Sequence, residues 1–182
     1  VSIALLPGVY ANQGDNRMAH KLTIALALLG SLGATAVQAE VSGIAERPDL
    51  TLTLANQLAD ATLSACHAQQ RTAVVAVVDR GGNLMALQRD DNVGPHNTLA
   101  AQRKAFTALS TKTATGLLAE RARNNPDAAN LNTLDELLLL GGGVPVAIDG
   151  QVVGALGVAG AGGASTDEGC AQSAIDKLIK TN

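Results

Sequence analysis

The order of elements along this chain predicts an α+β fold, an antiparallel sheet with helices packed on it. Three observations carry the prediction. Asp149-Gly150 sits between two β-branched runs, Pro-Val-Ala-Ile and Val-Val-Gly-Ala-Leu-Gly-Val. That is a strong hairpin signal, because the tight turn needs positive φ that Gly supplies. Residues 72–78 (TAVVAVV) and 84–88 flank Asp79-Arg-Gly-Gly-Asn83, which makes another hairpin. Segments of helical spacing precede, separate and follow the two hairpins. Consecutive hairpins favour antiparallel pairing, with the helices gathered on one side.

In chain order, residues 40–50 form a leader containing Pro48. Ala55, Leu58, Ala59, Thr62, Ala65 and Cys66 repeat at helical spacing and predict a helix over 51–69, with Thr51 or Thr53 able to cap it. The first strand is rich in Val, whose branched side chain suits a pleated, buried surface. Residues 89–96 (RDDNVGPH) are a polar loop, and Pro95 starts a helix that runs to about residue 109. Hydroxyl-rich residues 110–115 break it. A shorter helix spans 116–123 and stops before Pro126, which lacks the N–H a continuing helix needs. Residues 134–140 lead into Gly141-Gly142-Gly143 as a helical turn or an edge strand. After the second hairpin, Ser165-Thr-Asp-Glu168 fits a capping box for a last helix, whose apolar face is Ala171, Ala174, Ile175 and Leu178. Gly154, Gly157 and Gly160 recur every third residue. They serve turns and tight packing, or they let another backbone or a flat ligand approach closely.

The chain has 182 residues, a length that suits one domain. Its 13 Lys and Arg against 16 Asp and Glu give a net charge of −3. Tyr10 and Phe106 are the only aromatics. With neither a basic stripe nor a stacking surface, nucleic-acid binding is excluded as a function class. Residues 1–17 carry no core pattern and read as a non-native or over-called extension. Met18-Ala-His-Lys followed by the apolar run 22–32 reads as a signal peptide over 18–39, with Val37 and Ala39 at the cleavage positions. The apolar run is too short to span a bilayer comfortably. The expectation is a secreted or periplasmic protein whose mature chain, residues 40–182, is a single domain with no membrane anchor.

Export bears on Cys66 and Cys170, the only two cysteines. An even count in an oxidising compartment predicts a disulfide between them, against the alternative of two buried thiols. Cys66 and His67 are adjacent and lack zinc-ligand spacing.

The motifs Val77-Val-Asp-Arg-Gly-Gly-Asn-Leu84, Arg89-Asp-Asp, Gly94-Pro-His, Arg103-Lys-Ala-Phe-Thr-Ala-Leu109, Gly141-Gly-Gly-Val-Pro, Asp149-Gly, Gly154-Ala-Leu-Gly-Val-Ala-Gly160 and Asp167-Glu occur in this order. As an ordered set they resemble the GlcG/HbpS-like family, also called the haem-degrading or DUF336 family. The secreted, HbpS-type branch is the most similar. The resemblance implies a profilin-like fold, a five-stranded antiparallel sheet with helices packed on it. It also implies homo-oligomers, from dimers to octamers, and binding of haem or a related tetrapyrrole. Haem degradation is implied for some members.

Haem needs an apolar slot, an axial ligand and partners for its propionates. On that implication His96 is the candidate iron ligand, with Arg89, Arg103 and Lys104 to hold propionates. The alternative for His96 is an ordinary helix-start residue. His67 reads as a helix-surface residue. Ala114-Thr-Gly-Leu-Leu118 is similar to the Pro-Thr-x-x-Leu stretch that the HbpS-type branch associates with haem, so Thr115 is a candidate to line or cap the site, or a simple N-cap. Ala114 replaces the proline. Asp79 is expected to bond its turn amides, and Asp90 and Asp91 to be solvated or to hold a cation. Asp167 and Glu168 offset the dipole of the last helix. Catalytic alternatives lack support: no third strand completes a βαβ unit, no phosphate-loop signature is present, and no nucleophile elbow supports a Ser110–His96–Asp79 triad.

Overall fold

The computed structural model describes residues 43–179. The N-terminal extension, the signal peptide and its cleavage site lie outside the described residues. Five α-helices and four strands follow in the order α1 (Leu52–His67), β1 (Val74–Asp79), β2 (Leu84–Arg89), α2 (His96–Thr111), α3 (Thr115–Asn124), α4 (Pro126–Ala129), a 3-10 turn (Asn130–Thr133), β3 (Gly143–Ile148), β4 (Gln151–Ala159) and α5 (Ala164–Leu178). Both expected hairpins form, and the sheet order is β2-β1-β4-β3, every pair antiparallel. Asp149 (φ 48°) and Gly150 (φ 74°) both take positive φ, the geometry of a two-residue turn that keeps the strand twist.

The sheet has four strands among the described residues, where five were expected. Residues 134–140, the candidate edge strand, run as turns and irregular chain. Side chains satisfy their backbone instead of a ladder. Arg103 Nη2 donates to the Leu137 carbonyl (2.6 Å), the Leu138 amide donates to Thr107 Oγ1 (2.8 Å), and Thr115 Oγ1 donates to the Leu140 carbonyl (2.8 Å).

Helices cover both faces of the sheet, not one. Val75, Val77, Leu156 and Val158 pack against α1 and α5 through Leu58, Ala59, Ala171 and Ile175. On the other face Val74, Ala76, Val78, Ala155 and Ala159 meet Ala101, Ala105 and Ala108 of α2. That is why β1 is a continuous apolar run: both of its faces are buried. Helix α2 can lie very close because its inner face is alanine and it crosses glycines. A methyl group at Gly157 would collide with the Ala101 carbonyl and the Ala105 amide, and one at Gly143 with the Lys104 carbonyl. At Gly154 and Gly160 the space is taken by Leu50 and Val93. The periodic glycines therefore admit the protein's own atoms, not a flat ligand.

Two local expectations change. Helix α5 starts at Ala164 behind Gly163 and has no side-chain cap, so the capping box does not form. Pro126 ends α3 and is also the first residue of the short α4, where its missing N–H costs nothing. Thr51 does cap α1, accepting from the Leu54 amide. The disulfide joins Cys66 of α1 to Cys170 of α5, with Cα atoms 5.3 Å apart.

Candidate functional site

The outer stripe of α2 carries the candidate site. His96, Ala100, Arg103 and Phe106 recur at helical spacing on the side away from the buried alanines. His96 is the first helical residue, so its imidazole stands exposed at the N-terminal end. A cleft of about 320 Å³ opens beside it, lined by His96, Leu99, Ala100, Arg103, Leu138 and Leu140. That volume is at the small end of the ~300–1,000 Å³ typical of ligand sites. A second cleft, about 250 Å³, shares Leu99 and Arg103 and continues towards Leu84, Gly82 and Phe106. Leu99 and Leu140 are 60% and 47% exposed. Large apolar side chains left open around one imidazole and one guanidinium make an amphipathic surface.

Arg103 lies between the clefts. Nη2 is held by the Leu137 carbonyl, while Nε is buried with no hydrogen-bond partner. A buried donor left unpaired is costly. No hydrogen bond to the His96 imidazole occurs among the described residues, and its ring lies beside Gly94 with Nδ1 and Cε1 on that side. Arg89 reaches back over the loop ahead of α2. Its guanidinium donates to the Val93 carbonyl, the Gly94 carbonyl (3.4 Å) and Thr98 Oγ1 (3.1 Å), fixing the turn that presents His96.

Lys104 and Thr115 lie elsewhere. Lys104 points through the sheet end, 2% exposed, and its ammonium pairs with Asp167 Oδ2 (2.8 Å) and the Val158 carbonyl (2.9 Å). Asp167 Oδ1 accepts from the Ala161 amide (2.8 Å), so its carboxylate links α2 to the loop before α5 rather than merely facing a helix dipole. Thr115 is fully buried. Its hydroxyl donates to the Leu140 carbonyl and accepts from the Gly143 amide (2.7 Å), which uses its hydrogen and a lone pair. Glu168 accepts from the Gly116 amide (3.0 Å) beside it. The structure thus brings His96 and Arg103 into one cleft, sets Arg89 behind the loop, places Thr115 against the wall residue Leu140, and turns Lys104 away to Val158 and Asp167.

Of the remaining polar candidates, Asp91 is exposed, as expected for a solvated loop acid, and Asp90 and Asp79 have partners. Asp90 accepts from the Ala73 amide (2.8 Å) and meets His67 Nε2 at 2.9 Å. Asp79 bonds the amides of Gly81 and Asn83, as expected for a turn residue. Burial raises its pKa, but the hydrogen bonds from the Asn83 side chain and from the amides of Asn83, Gly81 and Gly82 together hold it below the usual 3.8. Among the described residues no three potential metal-binding side chains cluster, and no helix is long and apolar enough to cross a membrane. The far wall, Leu137 to Leu140, and its anchor Thr107 went unread in the sequence. A leucine run ahead of glycines was the available signal, but it did not say which helix it would meet.

A family model described as haem degrading protein, HbpS-like, matches residues 50–176. Protein GlcG of Escherichia coli strain K12 is 37% identical over 109 residues, covering 58% of this chain and 80% of the relative. The crystal structure of HbpS matches at 37% identity and a TM-score of 0.72, covering 78% of this chain and 99% of that one. A crystal structure of a PduOC:heme complex matches at 28% identity and a TM-score of 0.65, covering 72% and 96%.

Proposed function

The chain belongs to the HbpS-like family, and from that premise we propose that it is an exported haem-binding protein that captures or senses haem through the α2 cleft. The observation that carries the reading is the juxtaposition of an exposed His96, leucine walls and the Arg103 guanidinium in one cleft. These are the three things an iron porphyrin asks of a protein: an axial nitrogen, an apolar slot and a donor for a propionate. Bound haem would supply the iron and its redox chemistry. The chain's own residues do the holding. His96 would ligate the iron, Arg103 would take a propionate, and Arg89 keeps the loop that aims His96. Thr115 supports the cleft from behind through Leu140. The match to a haem-complexed relative agrees with this ligand class.

The disulfide supports export, because such a bond persists in an oxidising compartment. The partly exposed leucines around the cleft suit a homo-oligomer whose second subunit covers the open side of the porphyrin. We read the architecture as the profilin-like one that the family resemblance implies. A second reading, haem degradation, is favoured by the description of the matching family.

Titrating the purified chain with haemin separates these readings. Binding predicts a saturable Soret shift that is lost in His96→Ala and weakened about tenfold or more in Arg103→Ala, the loss expected for one charge-assisted hydrogen bond. Soret loss with iron release on adding a reductant would establish degradation. A wild-type chain that leaves the haemin spectrum unchanged overturns both.

A further inference from the structure

We propose that Thr107 is the positioning residue that sets the far wall of the His96 cleft. The proposal rests on reading that cleft as the ligand site. Leu138 and Leu140 form the wall, yet residues 137–140 belong to no strand or helix. Their place depends on three side-chain bonds, from Arg103, Thr107 and Thr115. The three are not equivalent. Arg103 lines the cleft, so a bound acid competes for its guanidinium. Thr115 also holds the Gly143 amide of β3. Thr107 is fully buried, and the wall's Leu138 amide is its one partner outside α2.

The geometry of Thr107 explains why a hydroxyl is needed. Its hydrogen goes to the Arg103 carbonyl one turn back (2.7 Å), as threonines in helices commonly do. That bond fixes the rotamer and leaves a lone pair directed out of the helix. The Leu138 amide arrives on this lone pair at 2.8 Å. A β-branched apolar residue of the same shape would keep the packing and lose the acceptor. The Leu138 amide would then face a methyl group, and the wall would detach from α2 at that point. A cleft that is only sometimes formed binds more weakly in proportion to the fraction formed.

The test compares Thr107→Val with Thr107→Ser, using amide hydrogen exchange and haemin titration. Valine should bring exchange at Leu138 and Leu140 close to the unprotected rate while the β1 and β4 amides stay protected. A wall formed about a tenth of the time should weaken haemin binding about tenfold, with the Soret position unchanged because His96 would still ligate. Serine should return both readouts towards wild type. Unchanged wall exchange in Thr107→Val overturns the proposal, and so does a loosened wall with undiminished haemin affinity. If Thr107→Val does not fold, the wild-type chain decides: the proposal requires slow exchange at Leu138, and fast exchange there overturns it. A wild-type chain that takes no haemin defeats the binding reading alone, and the exchange data still judge whether Thr107 holds the wall.

Discussion

Asp79 closes its own turn, accepting from the amides of Gly81 and Asn83 at 2.8 Å each. Because its folded pKa lies below the ordinary 3.8, the ionised carboxylate is favoured in the native state. Its contribution to stability is therefore present above that ordinary value and is lost as pH falls through the depressed one. Asp79→Ala should lower the urea midpoint near pH 7 by an amount worth less than about 1 kcal/mol, since the turn is solvated. The gap to wild type should narrow as pH falls below 3.8. A gap that is constant with pH would contradict this account. The role of Asp79 was readable from sequence because every group that its carboxylate bonds lies within four residues. Lys104 was not. A lysine beside an arginine on a helix reads as a solvated face, and its partner Asp167 is 63 residues away. Whether Lys104 turns to solvent or inward depends on where α5 ends up, which no local pattern states. His96 stood out for its position after Gly-Pro, whereas the wall opposite it came from a leucine run with no partner in view.

At the scale of elements, α2 decides where the site can be. Its inner face presses onto Gly157 through Ala101 and Ala105 and onto Gly143 through the Lys104 carbonyl, so the helix backbone lies nearly on the sheet. Leu99, Arg103 and Phe106 are exposed to ligand because Ala101, Ala105 and Ala108 are not. Gly157→Ala tests this. The added methyl has no room against the Ala101 carbonyl, so α2 must lift or the strand must shift. The expected cost is about 1–3 kcal/mol, as for overpacking a filled core. The same change at Gly150, where a side chain meets nothing within 4 Å, would strain only its positive φ. Urea midpoints measure the cost at Gly157, and a neutral Gly157→Ala would show that α2 does not sit so close. Both hairpins were legible because their signals are local turn chemistry. The glycine repeat signalled close approach equally well, but a helix backbone and a flat ligand ask the same thing of a strand. The unbroken apolar run of β1 held the clue that both faces are covered.

For the whole molecule, the two helical layers are fastened differently. Helices α1 and α5 share one face of the sheet and are tied by Cys66–Cys170, both fully buried, across 104 residues of sequence. Helix α2 holds the other face by packing, and at the sheet's end its Lys104 pairs with Asp167 in the first turn of α5, the one ion pair that joins the two layers among the described residues. Closing so long a loop restricts the unfolded chain, which in the chain-entropy description stabilises the native state by about 4 kcal/mol. The bond is on the layer opposite the cleft, so its loss should act on stability and leave the ligand face intact. Replacing both cysteines with serine should lower the urea midpoint by an amount worth about 2–4 kcal/mol. The folded fraction should bind haemin with wild-type affinity. Hydrogen exchange should rise first in α1 and α5, because the tie between them is gone, while β1 and α2 keep the protection of the global transition. If haemin affinity falls in the serine variant with the fold intact, the two layers are coupled through the sheet or through the Lys104–Asp167 pair, and the separation of a stapled face from a binding face is wrong.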